Sequence, residues 1–194
     1  MRERLKSWRA GMPRRFSRSE RGATAVEFAL VAGPLVLLLG VTCETGIMLF
    51  AEYTLQNATQ VAARTVRTGQ ASGANGAAAM TASQFKTIIC DNVGFMLDCS
   101  GGVTVYVNNA ATFSSLESTM ADPLTVGPSG GGGPPPVIFN PGIQLQAATV
   151  IATYDWKLVF PFMENFVGNI SGNTARRIYG LAIFRNEPFG AITP

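Results

Sequence analysis

Histidine is absent from this chain of 194 residues, and only 14% of its residues are charged. Without imidazole, the chain cannot build a Ser-His-Asp or Cys-His nucleophilic site, a histidine-ligated zinc site or a histidine general base. It also lacks a Walker phosphate-binding loop, a G-x-S-x-G nucleophile motif and a C-x-x-C pair. We therefore expect a protein that is not an enzyme, with no catalytic residues, metal ligands, cofactor or small-molecule substrate.

The excess of positive charge is confined to the N-terminus. Residues 1–22 contain eight Lys or Arg and two Glu, a net charge of +6, whereas the rest contains seven basic and ten acidic residues, a net charge of −3. A basic tail can bind nucleic acid, but this one precedes a hydrophobic segment, and no base-reading motif accompanies it. The positive-inside rule explains the charges better, and it predicts a cytoplasmic N-terminus. We therefore expect no nucleic-acid partner.

A hydrophobic segment of membrane length follows this basic leader. Residues 28–43 carry no charge, and the wider stretch 23–50 is interrupted only by Glu27 and Glu44. As a helix, that stretch is about 40 Å long, enough to cross a bilayer core of about 30 Å. A secretory signal is shorter and ends in a small-residue cleavage site. We therefore expect a single transmembrane segment, at about residues 25–48, that stays in the protein as an anchor.

Three residues of this segment are notable. A charge within a membrane helix costs about 2.5–3.5 kcal/mol at the helix centre and less near its end, so Glu27 is a functional candidate by default. Glu44 lies about 26 Å further along the helix, and we expect it to reach the far headgroup layer and snorkel there. Pro34 predicts a kink, although membrane helices also tolerate proline without one.

Beyond the membrane, the periodicity predicts an α+β domain. One helix face continues the first segment at steps of four, three, four and four residues: Ala51, Leu55, Ala58, Ala62 and Val66. We expect one long helix over residues 23–69 and a periplasmic domain over 77–194. Within that domain the pattern predicts a helix at 79–92, strands at 103–107 and 176–184, a long strand or a bent pair of strands at 143–160, and an exposed Gly/Pro-rich loop at 127–136. The predicted fold is a long N-terminal helix packed on a small antiparallel sheet.

The three cysteines divide by position. Cys43 lies in the hydrophobic run, where a free cysteine behaves as a small apolar residue. Cys90 and Cys99 lie in the domain that we expect to be exported, where they can form a disulfide that closes a short loop. The alternative is a pair of reduced thiols, and we favour the disulfide.

Three groups of residues together carry a resemblance to a known family. The first is Gly22-Ala23-Thr24-Ala25-Val26-Glu27-Phe28, with a glutamate at the fifth position after the glycine, as in a processed pilin-type signal. The second is Glu44-Thr45-Gly46 with Ala62-Ala63-Arg64, and the third is Arg185-Asn186-Glu187-Pro188-Phe189. They resemble the TadE-like minor pseudopilins of the tight-adherence (Tad) pilus system. The resemblance covers the N-terminal third and the end of the chain.

The resemblance implies a role and a set of partners. The role is that of a minor pilin in the initiation or assembly of a Tad-type pilus for surface adhesion or secretion. The implied partners are a prepilin peptidase, other Tad pilins and pseudopilins, and the pilus assembly platform. The implied location is the bacterial inner membrane, with the N-terminus cytoplasmic and the C-terminal domain periplasmic, or incorporated in the extracellular pilus.

The resemblance also assigns residues. It implies cleavage between Gly22 and Ala23, which removes residues 1–22. It makes Glu27 and Phe28 recognition or assembly residues, with Glu44 as a further candidate. The carboxylate of Glu27 would pair with the N-terminal amine of a neighbouring subunit, because an unpaired charge in a bundle of low dielectric constant is costly.

Two other functions stay open at this point. One is an unprocessed single-pass membrane protein that presents a periplasmic binding module, in which case Gly22 and Glu27 are incidental. The leader of 22 residues is longer than that of many type IV pilins, which leaves the exact cleavage point open. The other is a periplasmic hydrolase based on serine or paired carboxylates, but no carboxylate pair at helix or strand spacing stands out.

Overall fold

A computed structural model describes residues 20–74, 76, 78–99, 101–127, 138–160, 162–170 and 175–190. It divides the chain into two units, one ending at Cys43 and the other beginning at Glu44. Most of the basic leader lies outside the described residues. So does the Gly/Pro-rich loop predicted at 127–136, apart from Gly127.

The first helix, α1, spans Glu20–Arg67 and supplies all of the described part of the first unit. Its residues in that unit are almost all exposed, and Pro34 lies inside the helix. By length and composition it can cross a membrane, and none of its most apolar window is buried. An exposed apolar helix of this kind needs lipid or other helices around it.

The second unit is an α+β domain, so the predicted fold class is confirmed. After α1 the elements are α2 (Ala82–Val93), a 3₁₀ turn (Gly94–Met96), β1 (Val103–Ala110), α3 (Phe113–Thr119), β2 (Ala147–Lys157), α4 (Met163–Val167) and β3 (Ala175–Arg185). Among the described residues the strands form an antiparallel sheet in the order β1-β2-β3. The register pairs Val103 with Tyr154 and Lys157 with Ala175. The last residues of β2 therefore lie beside the first residues of β1 and β3, at one end of the strands.

Local chemistry sets the element boundaries. The hydroxyl of Thr81 accepts a hydrogen bond from the amide of Gln84, whose side chain accepts one from the amide of Thr81, so this capping box starts α2. β2 is shorter than the predicted strand 143–160. Leu145 has a φ of 64°, which belongs to a turn, so regular pairing begins only at Ala147.

The C-terminal part of α1 packs on one face of the sheet. The predicted stripe from Ala51 to Val66 is confirmed, because all five of its residues are fully buried. The helix approaches β3 closely at Gly180, which has no side chain. A Cβ atom there would overlap the hydroxyl of Thr59 and lie 2.9 Å from the carbonyl oxygen of Leu55.

The opposite face of the sheet is covered by α3 and the segment after it. Tyr106 and Ile151 pack there with Val126, and the hydroxyl of Tyr106 donates to the carbonyl of Thr119. Arg177 is buried under the same segment. Its guanidinium donates to both oxygens of Asp155, at 2.6 and 2.9 Å, and to a carbonyl at position 124 at 2.7 Å.

Side-chain amides protect the outer edge of β3. Gln56 of α1 accepts a hydrogen bond from the amide of Leu181 at 2.8 Å and donates to its carbonyl at 3.0 Å. Asn169 makes the same pair of bonds with the backbone of Arg177, at 2.6 and 2.9 Å. Each amide imitates one residue of a neighbouring strand, which limits unwanted pairing at an exposed edge.

Candidate functional site

The residues predicted to direct processing lie on the first turns of α1. Gly22, Ala23, Glu27 and Phe28 are all exposed. A Cβ atom added at Gly22 would meet no other atom of the described residues within 4 Å. A glycine inside a helix is less favourable than alanine by about 1 kcal/mol. Packing within the described part of the chain therefore gives no reason for a glycine at this position.

Glu44, the other carboxylate of the hydrophobic stretch, is buried, with 7% of its surface exposed. One of its oxygens accepts a hydrogen bond from the amide of Val159 at 2.6 Å, and the other accepts one from the amide of Phe160 at 3.1 Å. The expectation that Glu44 snorkels towards headgroups is therefore wrong. Its carboxylate points into the domain because two backbone donors there satisfy it.

The contact of Glu44 with these amides fixes the start of the loop after β2. The strand ends at Lys157, so the next amides have left the ladder of the sheet. Hydrogen bonds to an ionised carboxylate are shorter and about twice as strong as neutral ones. Glu44 thus holds the β2–α4 loop against α1, and we call this contact the Glu44 clamp.

The spacing of α1 contained a signal for this role. Met48 is buried four residues after Glu44, and Ala51 is buried three residues after Met48. Extending the predicted stripe back by two turns from Ala51 therefore reaches position 44. Periodicity alone indicates that Glu44 faces the domain, although it does not identify its partners.

The family-like residues near the C-terminus hold the end of α1. Asn186 is buried, and its side-chain amide donates to two carbonyls, at positions 141 and 143, at 3.1 and 2.9 Å. The backbone of Glu187 donates to the carbonyl of Arg67 at 2.9 Å, and their side chains form an ion pair of 3.0 Å. Phe189 is buried against Gly69, whose φ is 78°. This set of residues has a structural role that the sequence did not reveal.

Cys90 and Cys99 are bonded to each other, with their Cα atoms 5.6 Å apart. The bond ties the last turns of α2 to the turn that precedes β1. Cys43 is a free thiol at an exposed position of α1. Within the described part of the chain, no three His, Cys, Asp or Glu side chains are grouped as metal ligands would be.

These elements define an α+β protein with a membrane-length N-terminal helix. Residues 22–64 match the family of TadE-like proteins, which confirms the resemblance for this segment. The matched segment includes Gly22, Glu27 and Glu44. We found no match among curated proteins and none among solved structures.

Proposed function

We propose that this protein is a non-enzymatic minor pilin that takes part in the initiation or assembly of a Tad-type pilus, for surface adhesion or secretion. The observation that carries the proposal is the start of α1, an exposed apolar helix within the TadE-like segment, with Gly22 and Glu27 at its first turns. Its partners are a prepilin peptidase, other Tad pilins and pseudopilins, and the assembly platform.

In this proposal the precursor crosses the inner membrane once. The basic leader stays in the cytoplasm, in line with the positive-inside rule, and the α+β domain lies in the periplasm. The periplasm is oxidising, so the bond between Cys90 and Cys99 suits that location. After assembly, the domain would be displayed in the extracellular pilus.

The peptidase would cut between Gly22 and Ala23. Packing against the described residues does not explain the glycine, so its small size is better explained by the needs of a protease that must reach the backbone. Removal of residues 1–22 would take away eight basic side chains and leave a free amine at Ala23.

Glu27 would then act in assembly. It lies four residues after the new N-terminus, on the exposed surface of the helix. Inside a bundle of apolar helices, its carboxylate needs a partner of opposite charge, and the amine of a neighbouring subunit supplies one. Such a pair would fix the register between subunits, with the exposed ring of Phe28 available for packing beside it.

The intact mass of the membrane protein, expressed with and without a prepilin peptidase, tests processing. We expect the loss of residues 1–22 only when the peptidase is present. Gly22→Leu should block that loss, whereas Gly33→Leu should not, because Gly33 is another α1 glycine with open space around it. An unchanged wild-type mass in both strains would favour the unprocessed membrane protein with a periplasmic binding module.

Piliation of a Glu27→Ala strain tests the assembly role. We expect normal membrane insertion and processing but no pili, because only assembly needs the charge. Glu52→Ala, which removes a carboxylate further along the same helix, is the matched control and should assemble normally. Normal pili in the Glu27→Ala strain would contradict the role assigned to Glu27.

A further inference from the structure

A groove lies between the end of α1 and the outer edge of β3, within the second unit of the chain. It is lined by residues between 60 and 68, by residues 181–184 of β3, and by Glu187. We call this space the edge groove. Its volume is about 580 Å³, within the range of about 300–1,000 Å³ that ligand sites occupy. Two of its lining residues, Ala63 and Ala182, are small and buried, so their side chains leave the space open.

The backbone of β3 offers an unpaired position to this groove. Leu181 and Arg177 direct their amides and carbonyls away from β2, because these groups bond to the side chains of Gln56 and Asn169. In an antiparallel pair, residues two apart on a strand have the same orientation, so the amide and carbonyl of Ile183 also point away from β2. Neither group bonds to another residue in the described part of the chain. The protection of the edge by side-chain amides therefore stops before Ile183.

A polar stripe of α1 follows the same edge. Its members are spaced by four, four and three residues and so share one face of the helix: Gln56, Gln60, Arg64 and Arg67. Both glutamines bond to the backbone of Leu181, and Arg67 forms an ion pair with Glu187. Arg64 is exposed, and its guanidinium makes no hydrogen bond or ion pair with any other residue that the structure describes. It lines the edge groove together with Ile183.

An extended peptide can satisfy these three groups at once. A strand added to an exposed edge is held by paired backbone hydrogen bonds, and its side chains supply the specificity. A residue beside Ile183 would accept from its amide and donate to its carbonyl, as the side chain of Gln56 does at Leu181. A carboxylate on the peptide could form a bidentate, charge-assisted pair with Arg64. A free anion could bind Arg64, but it has no donor for the carbonyl of Ile183.

We propose that the edge groove binds an extended acidic segment of another protein, which adds a strand beside Ile183 and places a carboxylate on Arg64. The segment is acidic because Arg67 and Glu187 neutralise each other, which leaves one positive charge among the residues that line the groove. A basic segment would meet that charge unfavourably. The proposal does not depend on processing or on pilus assembly, so its failure would leave the proposed function intact.

Binding of synthetic peptides to the full chain tests this proposal. The probes are short, end-blocked peptides of alternating valine and threonine, in which one glutamate occupies each position in turn. The isotope-labelled chain is held in detergent micelles, with empty micelles as the blank, and its amide resonances are followed by NMR. We expect at least one peptide to shift the amide of Ile183 and to slow its hydrogen exchange. Because a hydrogen bond to a charged group contributes about 1.5–3 kcal/mol, lysine in place of that glutamate should weaken binding about tenfold or more.

Three changes locate the contact. Arg64→Gln should weaken binding of the glutamate peptide about tenfold or more, whereas Lys157→Gln, which removes an exposed charge outside the groove, should leave it unchanged. Ile183→Pro removes an amide that points away from β2, a position at which an edge strand tolerates proline, and it should also weaken binding. Methylation of the peptide's own backbone nitrogens should do the same without any change to the protein.

Several results would overturn the proposal. One is the absence of binding by every glutamate peptide, and another is equal binding of the glutamate and lysine peptides. Shifts confined to amides away from Ile183 would place the contact on a different surface. Binding that methylation of the peptide backbone leaves unchanged would reduce the site to a contact between Arg64 and a free carboxylate.

Discussion

Replacement of Glu44 by alanine should release the loop after β2 while the rest of the domain stays folded. The change leaves the amides of Val159 and Phe160 without their carboxylate acceptor. A hydrogen bond to a charged group contributes about 1.5–3 kcal/mol. Because removal of Glu44 also relieves the cost of burying its charge, we expect a net local loss of about 2–4 kcal/mol.

Hydrogen exchange of backbone amides measures this loss at the site itself. Since each 1.4 kcal/mol is a factor of ten, the amides of Val159 and Phe160 should exchange roughly 30- to 1,000-fold faster in Glu44→Ala. In Glu44→Gln the exchange rates should lie between those of the wild type and those of Glu44→Ala, because the amide oxygen of glutamine still accepts one neutral hydrogen bond. Glu52→Ala, two turns further along α1, should change the free energy of opening at the amides of Val159 and Phe160 by less than about 0.5 kcal/mol. Unchanged exchange at both amides in Glu44→Ala would refute the clamp.

Three further predictions concern the stability of the domain in the full chain. Arg177→Met should lower the free energy of unfolding by about 3–5 kcal/mol, because it breaks a bidentate ion pair whose guanidinium is fully buried, whereas Arg67→Met, which breaks an exposed pair, should cost at most about 1 kcal/mol. Thermal unfolding followed by near-ultraviolet circular dichroism distinguishes the two variants, and equal losses would contradict the reasoning. Gly180→Ala should cost about 1–3 kcal/mol in the same assay, since its methyl group would overlap α1, and an unchanged melting temperature would show that the helix can move away. Non-reducing mass spectrometry should find Cys90 linked to Cys99, and reduction should cost about 2–3 kcal/mol for a loop of this length, whereas free thiols in periplasmic protein would rule out the bond.

The fold was predictable where a local period sets it. The stripe from Ala51 to Val66 repeats at helical spacing, and its burial follows from that repeat. A boundary that depends on one backbone angle was not predictable. Nothing in the residue type of Leu145 marks its left-handed conformation, which delays β2 to Ala147.

The burial of Arg177 was not predictable because its partners are distant in sequence. Arginine on a strand is usually exposed. Here Asp155 lies directly opposite it on β2, and a carbonyl of the segment over the sheet accepts a further hydrogen bond. A single sequence shows the residue types but not this cross-strand register.

The two carboxylates of the hydrophobic stretch differ in a way that the sequence did not show. Glu44 has its two hydrogen-bond partners inside its own domain, 115 and 116 positions away. Both oxygens of its carboxylate therefore already accept a hydrogen bond within the domain. Glu27 is exposed on α1, where the proposed assembly would give its charge a partner in a neighbouring subunit. It follows that loss of pili in Glu27→Ala should occur with unchanged exchange at Val159, whereas Glu44→Ala should alter that exchange even before any assembly.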